Sequence, residues 1–334
     1  MRLSGERLRA EAEATGFRTE VLEKVIHLLN LLGAFQTHTF LKGRWALKGG
    51  TALNLFLLDV PRLSVDIDLN YVGAAERETM MAERPRFEEA LQAVCAREGF
   101  TVARIPSDHA GGRWSLRYAS ALGQGGNLEV DLNYMFRIPL WPVVARDSHR
   151  VGSFQATDVP LVDIHELAAG KLAALLARGA SRDVFDAQQL LTTCNLDRRL
   201  LRLAFVVYGA INRRDWRTVS VADVRVDPVE LQSQLAPMLR KQAVEGPGSV
   251  GSWPDRLLSE SRKLLAAVLP LDDHEREFLD RLLDHGEIKP SLLTDDQALA
   301  ERIRRHPGLE WKAVNVREFR RRSAEIEPEG RRDD

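Results

Sequence analysis

The sequence predicts an α+β protein: a mixed sheet with flanking helices, followed by a mostly α-helical part. Two observations carry this. Apolar and polar residues alternate over 63–71 and again between 101 and 136, the period of half-buried strands. Beyond about Asp158 the apolar residues recur at helical spacing almost to the end of the chain. The expected division is a sheet-bearing domain with an N-terminal helix over 1–157, a helical domain over 158–326 and a charged tail over 327–334.

Residues 6–32 read as helix, with Val21, Val25, Leu28, Leu29 and Leu32 on one stripe. Trp45-Ala46-Leu47 is a short apolar strand ending at Gly49-Gly50, residues 51–58 read as helix and 63–71 as strand. A long helix over 76–99 precedes strands at 101–105, 114–118 and 127–136, with Gly111-Gly112 and Gly123-Gln124-Gly125-Gly126 as the intervening loops. Helices are expected at 161–178, 182–192, 198–213, 228–242, 254–269, 272–283, 295–305 and 316–326. Gly179 ends the first of these and Ser181 is a candidate cap for the next. The Gly- and Ser-rich stretch 245–252 reads as a loop or joint.

The 334 residues are 44% hydrophobic, enough for one large core or two modest ones. Formal net charge is −1, so no overall field draws in a polyanion, and any nucleic-acid contact must be local. The two cysteines, Cys95 and Cys194, have neither metal-site nor disulfide spacing, which fits a reducing cytoplasm. The N-terminus opens into a charged helix rather than an apolar signal segment, and no apolar run is long enough for a bilayer. A cytoplasmic protein with no membrane partner is the expectation.

The chemistry is concentrated in a few places. In Leu63-Ser64-Val65-Asp66-Ile67-Asp68-Leu69, alternation puts Asp66 and Asp68 side by side on the polar face of a strand. Adjacent carboxylates repel, and divalent cations are the usual reason for such a pair. Gly49-Gly50, at a helix start just upstream, can offer backbone N–H groups to phosphate. Together they read as a site for a metal-bound nucleoside triphosphate, with two Mg²⁺ ions on the aspartates. Asn127-Leu128-Glu129-Val130-Asp131-Leu132-Asn133 alternates as cleanly, so Glu129 or Asp131 could supply a third carboxylate if the strands are neighbours. A solvated acidic face is the plain alternative for both strands.

Lys171 is flanked by small residues, which lets a triphosphate oxygen approach its ammonium. Arg182 and Asp186 stand four apart on the next helix, the spacing of an ordinary ion pair, with Asp183 in the first turn. Basic clusters at 213–217, 302–306 and 312–322 could grip the phosphates of an RNA, or could be the polar faces of amphipathic helices. His165 is expected as a polar surface residue at a helix start.

The ordered set resembles a known family. Gly49-Gly50 with Asp66-x-Asp68 is similar to the first motif of the DNA polymerase β-like nucleotidyltransferases. The fuller pattern is Leu47-Lys48-Gly49-Gly50-Thr51-Ala52-Leu53, Ser64-x-Asp66-x-Asp68, Lys171-Leu172 with Ala174, and Arg182-Asp183-x-x-Asp186. It resembles the AbiEii/AbiGii toxins, nucleotidyltransferases of type IV toxin–antitoxin and phage-defence systems, over about two-thirds of the chain. The resemblance implies a nucleotidyltransferase fold for the sheet and a nucleoside triphosphate (NTP) as substrate. Gly49, Gly50 and Thr51 would bind phosphates, Asp66 and Asp68 would hold metal, and Asp131 would be the third carboxylate. Lys171 would contact the triphosphate, and Asp186, with Arg182 beside it, would support the site. Ser64 would stand next to the metal aspartates, where a hydroxyl near the NTP could be a target for inactivating modification. The implied reaction is Mg²⁺-dependent transfer of a nucleoside monophosphate to the 3′ end of tRNA, blocking translation, with an AbiEi-like antitoxin as partner. A protein or small-molecule acceptor, or a catalytically silent binding module, are the alternatives.

Overall fold

The computed structural model describes residues 3–104, 110–242 and 253–326. The expected joint at 245–252 and the tail at 327–334 lie outside the described residues. Helix α1 (Gly5–Thr15) starts where the Ser4 hydroxyl accepts the Arg7 N–H, and α2 (Thr19–Thr37) follows. Strand β1 (Trp45–Lys48) leads into α3 (Gly49–Ala52), which continues as a wider helical turn over Leu53–Leu57. Then come β2 (Asp66–Tyr71), α4 (Arg77–Arg97), β3 (Thr101–Arg104), β4 (Gly111–Ala119) and β5 (Gly125–Asn133). The strands β6 (Val144–Arg146) and β7 (Val159–Leu161) are too short for their alternation to stand out in sequence. Gly111-Gly112 and Gly125-Gly126, read as loop, are instead the paired ends of β4 and β5.

The seven strands form one mixed sheet in the order β3-β4-β5-β2-β1-β7-β6. β2 runs antiparallel to β1 and parallel to β5, and β1 runs parallel to β7. Ile67, Leu69, Leu128, Val130 and Leu132 point to one face and pack with Leu22, Val25, Leu28, Leu29 and Leu32 of α2. Each such side chain removed from water contributes about 1.5–3 kcal/mol. The polar positions of β2 and β5 are therefore held on the opposite face by the burial of their neighbours, because a one-residue slip would bury the acids.

That opposite face meets the helical part. α5 (Ile164–Arg178) is capped by Asp163 and ends at Gly179; α6 (Ser181–Thr193) and α7 (Arg198–Ala210) follow. Ser181 is not the cap of α6: it is the first helical residue, buried, and its hydroxyl donates to Glu230. The expected helix at 228–242 is broken into short turns, and the Met238 carbonyl accepts the Leu63 N–H. Helices α8 (Trp253–Leu264), α9 (Asp273–His285), α10 (Gln297–Arg304) and α11 (Pro307–Ile326) complete the chain. A second buried apolar cluster, built on α5, α6 and α7, takes in Leu53 and Leu58 from beside the glycine turn. Among the described residues no helix is long and apolar enough to cross a membrane.

Candidate active site

β2 and β5 pair in register, with Asp66 opposite Glu129 and Asp68 opposite Asp131, while Lys48 of β1 lies opposite Asp68 on the other side. Neighbouring strands are about 4.8 Å apart, so these four acids crowd one patch of the sheet. Burial raises the proton affinity of the Asp66 carboxyl, and the charges of Asp68 and Glu129 raise it further. Asp131 is also raised, by burial first and then by Asp68, against the pull of Lys48. Glu129 forms an ion pair with Arg113 of β4 at 3.0 Å. Asp68 and Asp131, with Lys48, Gly49, Gly50 and Lys171, line a cavity of about 410 Å³; Asp66 and Glu129 stand beside it rather than in its lining.

Gly49 is required on two counts. Its φ of +73° lies in the left-handed region, and a Cβ there would sit 2.0 Å from Asp68 Oδ2. Gly50 packs as closely: a Cβ would come within 2.9 Å of the Ser64 hydroxyl and 3.0 Å of Arg62. Thr51 is fully buried, and its hydroxyl donates to the Asp66 carbonyl at 2.5 Å, so it fastens the glycine turn to the acidic strand. Ser64 precedes β2 and is buried, not on a wet face as alternation alone suggested.

A knot of charge closes the back of the site. Asp186 is wholly buried and accepts from Arg62 Nε and Nη2 at 2.7 and 2.6 Å, and from Asn54 Nδ2 at 3.2 Å. Lys171 Nζ lies 2.9 Å from Asp186 and 3.0 Å from Asp183. Arg178 in turn holds Asp183, at 2.7 Å. Burial alone would push the Asp186 carboxyl up, but Arg62 and Lys171 hold it well below the usual carboxylate range. The same contacts, Asp186 foremost, outweigh burial and raise Lys171.

Arg182 is therefore not the partner of Asp186, as its four-residue spacing suggested. Arg62 is, from 124 residues away. Arg182 is half-buried, makes no hydrogen bond or ion pair among the described residues, and lends its positive field to Asp66. Sequence reasoning missed Arg62, Asn54, Arg113 and Arg178. Only the placing of Arg62 one turn before the acidic strand was a local signal.

The far wall of the cavity carries Phe136, Glu166 and Tyr208. Glu166 is buried, accepts the Trp141 N–H at 3.2 Å and the Tyr208 hydroxyl at 3.0 Å, and burial pushes its pKa up to about 7. The folded state thus holds a proton there that the unfolded chain releases near its ordinary 4.5. Glu166 stability is full below that value and falls as pH rises toward about 7. Buried His306, lowered to about 4, titrates with the opposite sign, so the wild-type curve mixes the two. Melting temperatures of wild type and Glu166→Gln between pH 4.5 and 8 isolate the carboxyl: the variant should gain relative to wild type as pH rises. A difference that does not change with pH would refute the assignment.

The other polar expectations sort differently. His165 is buried, with Nδ1 2.9 Å from Asp163 and Nε2 accepting the Asp197 N–H, so it ties two helix starts together. In the cluster at 213–217, Trp216 is core, Arg214 pairs with Asp223, and Arg217 is held by Asp215, Asp280 and Asp284. Arg304 and Arg305 pair with Glu301 and Glu76, and His306 is fully buried.

Among the described residues no group of three His, Cys, Asp or Glu side chains closes to metal-ligand geometry. The donor chemistry nevertheless fits a hard cation. Asp66, Asp68 and Asp131 offer only carboxylate oxygen, two of the three have raised proton affinity, and Mg²⁺ takes one or two carboxylates with phosphate and water. Mutual repulsion holds such acids apart until positive charge is supplied.

Known proteins resemble this chain in family and in fold. A search of curated proteins finds no match. MenT4, a nucleotidyltransferase toxin from Mycobacterium tuberculosis H37Rv, has a similar fold: TM-score 0.59 at 19% identity, covering 94% of this chain and 99% of that one. The family model for the nucleotidyl transferase AbiEii toxin of type IV toxin–antitoxin systems matches residues 31–315. The chain therefore belongs to the AbiEii family of nucleotidyltransferase toxins and is itself a nucleotidyltransferase, with an NTP as donor and an antitoxin as counterpart.

Proposed function

We propose that this enzyme moves a nucleoside monophosphate from an NTP to the 3′ hydroxyl of tRNA, and so blocks translation until an AbiEi-like antitoxin restrains it. The observation that carries the reading is the in-register pairing of Asp68 with Asp131, beside Asp66 and against the Gly49 turn, at an open cavity. Mg²⁺ on Asp66, Asp68 and Asp131 would supply positive charge to the triphosphate. The backbone of Gly49 and Gly50 borders the phosphates. Lys171 has three donors, and two are committed to Asp183 and Asp186, which leaves one for a phosphate oxygen. Arg182, without an ion pair among the described residues, is the second cation for the phosphates. Asp183 and Asp186 hold Lys171 in place, Asp186 being fixed in turn by Arg62, and Thr51 and Ser64 brace the glycine turn.

In the reaction the acceptor oxygen bonds to the α-phosphorus and the bond to the bridging oxygen breaks. Pyrophosphate leaves with the bonding pair. The hydroxyl proton passes to a carboxylate oxygen of Asp131, which lines the cavity opposite Asp68.

The reading is tested by incubating the enzyme with Mg²⁺, each α-³²P-labelled NTP in turn, and total tRNA. Label is expected on the RNA, at the 3′ end, and periodate oxidation of that end beforehand should prevent it. Labelling confined to protein or small molecules would overturn the tRNA assignment and leave the transferase intact.

A further inference from the structure

Arg214, Arg217, Arg304 and Arg305 are taken up by ion pairs, but Arg213 of the first basic cluster and Lys312 and Arg320 of the third are not. Lys312 and Arg320 of α11 converge with Arg213 on a groove of about 590 Å³ between α9 and α11. Lys312 donates to the Asn212 carbonyl at 2.6 Å and Arg320 to the Asp284 carbonyl at 2.8 Å. Carbonyls are neutral partners, so both side chains keep their positive charge. Arg213 is exposed and makes no hydrogen bond or ion pair among the described residues. Asp284, the carboxylate in the lining, is already held by Arg217 at 2.7 Å.

The same groove displays Trp311 and Phe319, 54% and 73% exposed, the large exposed aromatic side chains among the described residues. They stand eight residues apart on α11, about 12 Å along the axis, so they share a face. That distance spans about three to four nucleotides of a strand with one phosphate per ~3.4 Å. Aromatic faces between cations are the chemistry of single-stranded nucleic acid, whose bases stack while its phosphates are neutralised. The groove also adjoins the catalytic cavity. Asn212 lines both hollows, with Ile211 on the catalytic side and Arg213 on the groove side.

We propose that the α9–α11 groove is the RNA-binding surface of this enzyme, seating the single-stranded segment that leads the acceptor's 3′ end past Asn212 into the catalytic cavity. This rests on the reading of the acceptor as RNA. The surface explains how a nearly neutral protein engages a polyanion: the charge is local and faces the site.

The test compares wild type with Trp311→Ala/Phe319→Ala and, separately, Arg213→Glu, all as full chains. KM for tRNA should rise at least ~10-fold in the double variant and its kcat change less. NTP affinity, measured without RNA, and melting temperature should stay at wild-type values. Arg213→Glu should raise KM and reduce its dependence on salt. An unchanged KM in both would overturn the groove.

If wild type labels no RNA, the acceptor reading fails on its own. The groove is then judged by fluorescence anisotropy of a labelled single-stranded RNA oligonucleotide. Binding lost in the double variant supports it; binding absent from wild type or unaffected by the variant overturns it. Conversion of a wild-type dimer to monomer by these substitutions, with RNA binding unchanged, would make this face a contact between copies and also overturn it.

Discussion

Asp66→Ala should abolish nucleotidyl transfer, by about a thousandfold or more, while the protein stays folded. The size follows from the several kcal/mol that a cation held against a transferring phosphoryl group supplies, each ~1.4 kcal/mol being a factor of ten. The fold survives because the side chain stands on the face of β2 opposite the packed Ile67 and Leu69, and no hydrogen bond of the carboxylate is lost. Its removal also relieves the repulsion from Asp68 and Glu129 that raises its proton affinity. Melting temperature should therefore hold or rise slightly, and Asp66→Asn should behave alike. Label transfer to RNA, followed alongside a thermal melt, decides it: a folded Asp66→Ala enzyme working at the wild-type rate would remove the metal site from β2.

Asp186→Ala should do the opposite kind of damage. Arg62, only 4% exposed, would lose both oxygens of its bidentate partner, and Lys171 one of its two. Stranding a buried cation in this way costs about 3–5 kcal/mol. For a chain of this size that is a fall in melting temperature of roughly 4–7 °C. Activity should fall as well, because Lys171 borders the cavity. The pH dependence distinguishes the knot from simple packing. Asp186 is depressed in the fold, so its contribution is present above its ordinary 3.8 and lost as pH falls toward the folded value. Between pH 5 and 2 the stability gap between wild type and Asp186→Ala should narrow; a constant gap would show that Asp186 acts through volume alone. A double change, Arg62→Leu with Asp186→Leu, should cost less than Asp186→Ala, since neither charge is then stranded.

The acidic strands were legible because their alternation is strict and the apolar positions Ile67, Leu69, Leu128, Val130 and Leu132 are buried. Once β2 and β5 are parallel and in register, Asp68 must meet Asp131. The glycine turn was legible too, since Gly49 and Gly50 precede a short helical segment with no room for side chains. Arg62 was not, because nothing in Pro61-Arg62-Leu63 says that its partner lies in α6, and local spacing offered Arg182 instead. The basic clusters misled for the same reason. Whether an arginine faces water or a carboxylate is decided by the neighbouring helix, which is how Arg217 comes to be neutralised by α9 while Arg320 is not. The interruption at 231–238 also escaped pattern reading, although it supplies the carbonyl that holds Leu63 beside the site.

The bond between Arg62 and Asp186 also sets an order in time. During synthesis Arg62 and the whole of β2 leave the ribosome before the carboxylate that Arg62 needs, which follows 124 residues later. At ~5–20 residues per second that is a delay of roughly 6–25 s. Until then the guanidinium has no buried counter-charge and stays in water, so the segment carrying Arg62 and Ser64 cannot settle against Gly50. A nascent chain therefore cannot fix its acidic strands beside Lys171 through this pair until more than half of it has been made.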